Sequence, residues 1–171
     1  MNILDIIKER RSVRRFLNKL ISKEIQDALK EAIMWAPSAG NLQSRKFYFI
    51  FNQAMKKDLA KAALGQSFIA KAPLVIVGCV DLRIKDHYGE RGVNLYAIQD
   101  VSASIQNVLL VAHELGLASV WIGAFCEDEV SKILKLPRFL RPVSIIPVGY
   151  TSAHPRAPGR VPVEDAIDII E

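Results

Sequence analysis

Five cationic side chains fall within eight residues near the N-terminus. Lys8 and the arginines at positions 10, 11, 14 and 15 face Glu9 as the single acidic neighbour, so this stretch holds most of the net charge of +5. A guanidinium donates in a planar fork that matches two oxygens of a phosphate, and Ser12 adds a compact hydroxyl donor. We predict that residues 10–16, the arginine turn, bind a phosphomonoester. The alternative is a solvated basic turn without a ligand.

A second group of polar side chains lies in a loop of small residues with the sequence APSAGNLQS, from position 36 to position 44. Its proline and glycine indicate only an ordinary turn. Asn41 and Gln43 are more informative because an amide offers a donor and an acceptor together. A heterocycle with N–H, N and C=O edges needs that combination. Residues 37–43, the amide loop, therefore favour recognition of such a ring.

Other candidate sites are weaker. Gly123 follows a predicted strand and would permit a flat ligand to approach the backbone. Asp86 and His87 are adjacent, and adjacent side chains in a strand point apart, so no metal site is expected there. Cys79 and Cys126 form no CxxC pair, which argues against a disulfide framework or thiolate metal site. The absence of a P-loop and of a GxGxxG fingerprint argues against nucleoside triphosphates and dinucleotides.

The elements that must position these residues alternate irregularly between helix and strand. Apolar spacing predicts helices over residues 2–9, 22–36, 53–64, 95–115 and 127–134, and strands over 47–51, 74–80, 118–122 and 143–150. Pro147 indicates an edge or terminal position for the last strand. The helix at 95–115 mixes small and polar residues on its outer side, as expected for a helix between its own sheet and a second surface, which could be another subunit. These patterns predict a layered α+β fold.

Length and composition predict one globular domain spanning residues 1–171. Half of the residues are apolar and about a quarter are charged, which is typical of globular proteins. No stretch approaches the roughly 20 apolar residues that cross a bilayer, and the first residues do not resemble a leader. We therefore expect a cytoplasmic protein without a membrane partner.

Four segments taken together resemble the FMN-dependent nitroreductase family, in the family's order along the chain. They are RRSVRRF at 10–16, PSAGNLQ at 37–43, GLASVWIGAF at 116–125, and PVGY at 147–150 with RVPVED at 160–165. The resemblance implies a three-layer α/β/α sandwich around a mixed, mainly antiparallel four-stranded sheet. It also implies a homodimer with an intertwined tail and one FMN at each of two sites built from both chains.

The resemblance also implies roles for individual residues. Around the FMN phosphate and ribityl group it places Arg10, Ser12 and Arg14, with Arg11 in the same turn and Arg160 closing from the tail. Against the flavin of the other subunit it places Pro37, Ser38, Ala39, Asn41 and Gln43. Along the ring it places Ile122, Gly123 and Ala124, with Trp121 packing behind them.

The resemblance further implies that the chemistry belongs to the cofactor. Flavin N5 would take hydride from NADH or NADPH, and the electrons would pass to a nitroaromatic, a quinone or a similar small acceptor. No catalytic side chain is assigned. The chain departs from the family at Ser44 and Arg45, where many members have proline and an aromatic residue, and it lacks the long insert that many members carry before the third strand.

Several alternatives remain open at this level. They are reductive dehalogenation or flavin breakdown on the same fold, and a flavin-binding protein without turnover. A nucleic-acid-binding module is a further alternative, but the basic residues form one compact turn and most aromatics lie inside predicted strands, where they could not stack on bases. We expect no nucleic-acid partner.

Overall fold

The computed structural model describes residues 2–171, so Met1 of the predicted domain lies outside the described residues. The helices are α1 (Ile3–Glu9), α2 (Lys23–Met34), α3 (Gln53–Ala62), α4 (Lys85–Arg91), α5 (Ala97–Glu114) and α6 (Glu127–Leu134). The strands are β1 (Arg45–Ile50), β2 (Leu74–Asp81), β3 (Ala118–Ser119) and β4 (Leu140–Gly149). Short 3₁₀ turns lie at Ala39–Asn41, Ser67–Lys71, Leu82–Ile84 and Val163–Asp165, and a π-helical turn, Gly92–Tyr96, precedes α5.

The four strands form one sheet in the order β1-β2-β4-β3, and every neighbouring pair is antiparallel. A parallel bridge between Ser12 and Ser119 attaches the arginine turn to the outer edge of β3. Alternate side chains of β2 enter two separate cores, because successive residues of a strand face opposite sides. Helices α2 and α5 cover one side, and α3 and α6 cover the other. The predicted three-layer architecture is confirmed.

The position predicted for the last strand is wrong, since β4 lies inside the sheet between β2 and β3. The register pairs Ser119 with Val148 and Ile122 with Ile145, so Val120 lies opposite Pro147. A proline has no N–H to donate across that pair, and regular pairing is interrupted there. The sheet tolerates the proline because β3 is only two residues long.

The second surface beside α5 is α2 of the same chain. Ser104 Oγ donates to the Ile33 carbonyl at 3.3 Å, and Asn107 Nδ2 donates to the Ala32 carbonyl at 3.1 Å. These side chains satisfy carbonyls near the end of α2, where intrahelical partners run out. Ser104 and Asn107 therefore join two helices of one subunit, whereas Gln106 on the same side of α5 is exposed, so the expectation that another subunit could contact this side stays a prediction.

The polar stretch 81–92 forms a 3₁₀ turn followed by α4, interrupted at Gly89, whose φ is 56°. Its sequence shows no apolar periodicity, so the helix was not predicted. Within residues 2–171, no helix combines the length and apolarity needed to cross a membrane.

Candidate flavin-binding site

The arginine turn begins where α1 ends. Asn2 and Asp5 form a reciprocal capping box at the start of α1, and Arg11 Nη1 donates to the carbonyls of Lys8 and Arg10 at 2.6 and 2.8 Å at its end. Arg11 thus stabilises the last turn of the helix. One nitrogen of its guanidinium is engaged by the chain itself, and the ligand-binding role of Arg11 stays a prediction.

The chain then runs extended along β3. Val13 N–H donates to the Ser119 carbonyl at 3.1 Å, and the Val13 side chain is buried. Because side chains alternate along an extended segment, Ser12 and Arg14 lie on the side opposite Val13. The Arg14 guanidinium lies 6.0 Å from the centre of the Phe68 ring, which is the range of a cation–π contact.

The electrostatics of the turn are those of an unpaired cationic cluster. Burial lowers the pKa of Arg10, and the nearby charges of Arg11 and Arg160 lower it further. Arg10 Nη1 is buried without a hydrogen-bond partner, and Arg160 donates only to the carbonyls of its own loop, at Pro158 and Gly159. In the part of the chain that the structure describes, none of these arginines has a carboxylate within ion-pair distance.

The tail meets the turn directly. Thr151 Oγ1 donates to the Arg15 carbonyl at 2.7 Å. A pocket of about 410 Å³ lies between the turn, the end of α5 and the first residues of the tail, and Arg10 and Arg11 line it together with His113. The start of the tail and the arginine turn therefore line one pocket, and the convergence of Arg10 and Arg160 on a phosphate stays a prediction.

The amide loop has an unusual backbone. Gly40, Asn41 and Gln43 have φ values of 53°, 55° and 52°, in the left-handed region that non-glycine residues seldom adopt. Ser38 Oγ accepts from Gln43 N–H at 3.0 Å, and Gln43 Nε2 donates to the Asn41 carbonyl at 3.2 Å. Among residues 2–171 no hydrogen bond joins this loop to the arginine turn, and each predicted half of the site is held by contacts of its own.

The segment 121–124 is oriented differently from the prediction. Ile122 pairs with Ile145 in both directions, at 2.9 and 3.0 Å, and its side chain is only 4% exposed. Trp121 points outward and is 38% exposed. The side chain packed behind this segment is therefore Ile122, and Trp121 is on the open side. Space is free above Gly123, where a Cβ would meet no atom within 4 Å.

Three residues that contact the predicted site residues were not predicted from the sequence. Gln66 Nε2 donates to the Ala124 carbonyl at 3.3 Å, Phe68 lies under Arg14, and Arg45 binds the start of the amide loop. Gln66 and Phe68 lie in or beside an irregular turn without periodicity, so no sequence signal marked them. Arg45 departs from the family pattern, and this departure could have indicated that it has a specific role beside the amide loop.

The donor set fits FMN and offers little to a metal ion. A phosphomonoester carries about two negative charges at neutral pH and three strong acceptor oxygens, which matches unpaired guanidinium groups beside an unpartnered buried donor. Across residues 2–171, no cluster of three or more His, Cys, Asp or Glu side chains is placed to hold a metal. The assignment of individual residues to the flavin stays a prediction.

An antiparallel α+β sandwich with arginines gathered at its edge suits a class of domain that binds an anionic cofactor. The family model described as "Nitroreductase family" matches residues 7–81 and 61–150. The chain belongs to the nitroreductase family, which confirms the resemblance and the prediction of an oxidoreductase.

Individual relatives agree with this assignment. A Methanothermobacter thermautotrophicus protein, provisionally named NADH dehydrogenase/NAD(P)H nitroreductase, is 33% identical over 159 residues, which are 91% of this chain and 80% of that protein. The FMN reductase [NAD(P)H] of Bacillus subtilis is 25% identical over 95% of this chain and 71% of its own length. Nitroreductase A from Vibrio parahaemolyticus superposes with a TM-score of 0.92 at 24% identity, covering all of this chain and 77% of that one, and supports the fold.

Proposed function

We propose that this protein is an FMN-dependent oxidoreductase, a single nitroreductase-like domain that passes electrons from NADH or NADPH to a nitroaromatic, a quinone or a similar small acceptor. The observation that carries the proposal is the proximity of Arg10 and Arg160, neither of which has a carboxylate partner within residues 2–171. Family membership and the relatives named for FMN and NAD(P)H support the choice of cofactor and donor.

The chain's own residues would bind and orient the cofactor. Arg10, Ser12 and Arg160 would hold its phosphate by charge-assisted hydrogen bonds, and Arg14 would extend the same cationic surface towards the ribityl chain. Gly123 and Ala124 would leave room for a flat ring against the backbone. When bound, FMN supplies the hydride and electron transfer, so no side chain has to act as nucleophile, acid or base.

We also propose that the active form is a homodimer in which the amide loop of one subunit faces the flavin held by the arginine turn of the other. Two exposed apolar surfaces support this proposal. Ile3, Leu4 and Ile7 of α1 are exposed, and Trp35 beyond α2 is 78% exposed. The tail exposes a further set, Val161, Val163, Ile167, Ile169 and Ile170. Apolar surface of this extent is characteristic of an interface.

A cytoplasmic location accompanies this function. Both cysteines are free, and Cys126 is exposed, which suits a compartment that keeps thiols reduced. Neither nucleic acid nor membrane is part of the proposal. The partners are a second copy of the chain, the nicotinamide donor and a small acceptor.

Purification followed by steady-state assays tests the function. We expect a yellow protein that releases FMN on denaturation and oxidises NADH or NADPH in the presence of a nitroarene or quinone. Bound FMN that no donor reduces would identify a flavin-binding protein without turnover. A colourless protein that does not bind added FMN would contradict the proposal.

A further inference from the structure

Arg45 makes an unusual set of contacts at the start of β1. Its guanidinium donates to three carbonyls around the end of α2: Met34 at 3.1 Å, Ala36 at 2.9 Å and Pro37 at 3.1 Å. Carbonyls at a helix C-terminus have no intrahelical partner, and a planar guanidinium can bind several of them at once. The entry to the amide loop is therefore held from one side by one side chain.

Asp100 holds the loop from the other side. It lies in the first turn of α5, it is 4% exposed, and its Oδ1 accepts from the Ala39 N–H at 2.9 Å. Its Oδ2 is buried without a hydrogen-bond partner. Burial lowers the pKa of the Arg45 guanidinium, and attraction to the Asp100 carboxylate opposes that shift, so the two groups that bind the loop backbone carry charges of opposite sign.

The loop between these two groups is held in an unfavourable conformation. Asn41 and Gln43 both have positive φ, and such residues persist only where the surroundings enforce them. Gly40 has a φ of 53°, which favours glycine, and a Cβ at this position would require the Tyr88 hydroxyl to move. Without contacts on both sides, the loop would relax to other conformations.

We propose that Arg45 and Asp100 are positioning residues that clamp the amide loop and so present Asn41 and Gln43 to the flavin of the partner subunit. Neither residue touches the cofactor in this proposal. The effect on flavin binding rests on the proposed function, whereas the fixing of the amide loop by Arg45 and Asp100 does not. It therefore has a test that needs no cofactor.

The experiment compares Arg45→Met, Arg45→Lys and the control Arg141→Met in the full-length protein. Arg141 is a matched control because it also binds through its guanidinium, to Glu127 on the other side of the sheet. Hydrogen exchange would be measured at the Ala39, Leu42 and Gln43 amides, which are all bonded in the structure. FMN dissociation constants would be measured on the same samples.

We expect Arg45→Met to raise exchange at these three amides by about tenfold or more, and to weaken FMN binding by about tenfold, the effect of losing roughly one charged hydrogen bond. Arg45→Lys should keep part of the protection of the loop amides and part of the affinity for FMN, since an ammonium retains the charge but reaches fewer carbonyls. Arg141→Met should leave the loop amides and FMN binding unchanged.

Two results would overturn the proposal. One is loop exchange in Arg45→Met equal to that of the wild type, or raised uniformly over the whole chain as in general destabilisation. The other is a loosened loop with unaltered FMN binding. If the wild-type protein binds no FMN, the proposed function fails, whereas selective loosening of the loop in Arg45→Met would still support the clamp.

Discussion

Arg10 and Arg160 lie close enough to repel each other, and within residues 2–171 neither has a carboxylate partner. Other arginines of the chain have more partners: the Arg45 guanidinium binds three backbone carbonyls and Arg141 binds the Glu127 carboxylate, whereas Arg160 donates from one nitrogen to carbonyls of its own loop. A cation left without a partner at the surface of a folded chain is available to an anionic ligand. This difference distinguishes Arg10, whose buried Nη1 has no hydrogen-bond partner, from Arg45 and Arg141.

Only some of the roles of individual residues at the candidate site could be predicted from the sequence. The density of positive charge in residues 10–16 predicts an anion site, because guanidinium groups close together suit a phosphate. The distinction between Arg11, which caps a helix, and Arg10 could not be predicted, since it depends on where α1 ends. The alternation that turns Ile122 inward and Trp121 outward depends likewise on how the segment pairs with β4.

The two cysteines should react very differently with alkylating reagents. Burial raises the pKa of the Cys79 thiol to about 12, and the thiolate is the reactive form, whereas Cys126 is exposed. We expect one thiol per chain to react with iodoacetamide at pH 8 in the native protein, and two in denaturant. Mass spectrometry of the labelled peptides checks this. Native labelling of Cys79 would contradict the buried position of β2.

At the scale of elements, helices with regular apolar spacing were predicted to within a few residues, because α2, α3, α5 and α6 each bury one face. Strand order was not predictable in the same way. β4 pairs with β2 and β3, which lie far from it in sequence, and local proline content carries no information about such pairing. The contacts of Ser104 and Asn107 with α2 were not predicted for the same reason.

The ion pair between Glu127 of α6 and Arg141 of β4 should contribute to the free energy of unfolding in a pH-dependent way. The Arg141 guanidinium donates to both carboxylate oxygens of Glu127 and lowers its pKa. A carboxyl group whose pKa is lower in the folded state stabilises the protein above its unfolded pKa, and this contribution is lost as the pH falls through the folded value. Both side chains are partly exposed, so about 0.5–1 kcal/mol is expected.

Urea unfolding of the wild type and of Glu127→Gln at pH 7 and pH 3 measures this contribution. The variant should be less stable at pH 7 by that amount, and the difference should shrink as the pH falls through the folded pKa of Glu127. A difference that stays constant between the two pH values would show that the ion pair contributes nothing through its charge.

At the scale of the whole molecule, the candidate site lies on two separate parts of one chain. The arginine turn and the tail meet at the edge of β3, whereas the amide loop is bound to α5 and Arg45. A second subunit could bring the two parts together, and the exposed apolar residues of α1 and of the tail would be covered at the same time. Sequence features could mark each part, but assembly is a property of the folded surface.

Mixed dimers would show whether each site uses both subunits. One chain would carry Arg14→Ala with Arg160→Ala, and the other Asn41→Ala with Gln43→Ala. Each homodimer should bind little FMN, because every site has one defective half. The mixed dimer, purified with two different tags, should retain about half of the wild-type FMN, because both defects fall in the same site. Complete loss in the mixed dimer would place both halves of a site in one chain.

The most direct measurement is the affinity of the apoprotein for FMN compared with riboflavin, which lacks the phosphate. A hydrogen bond to a charged group contributes about 1.5–3 kcal/mol, so losing two or more should weaken riboflavin binding by at least about a hundredfold. Arg10→Gln combined with Arg160→Gln should remove most of this preference, and Arg156→Gln should preserve it. Equal affinity of the wild type for FMN and riboflavin would contradict the account.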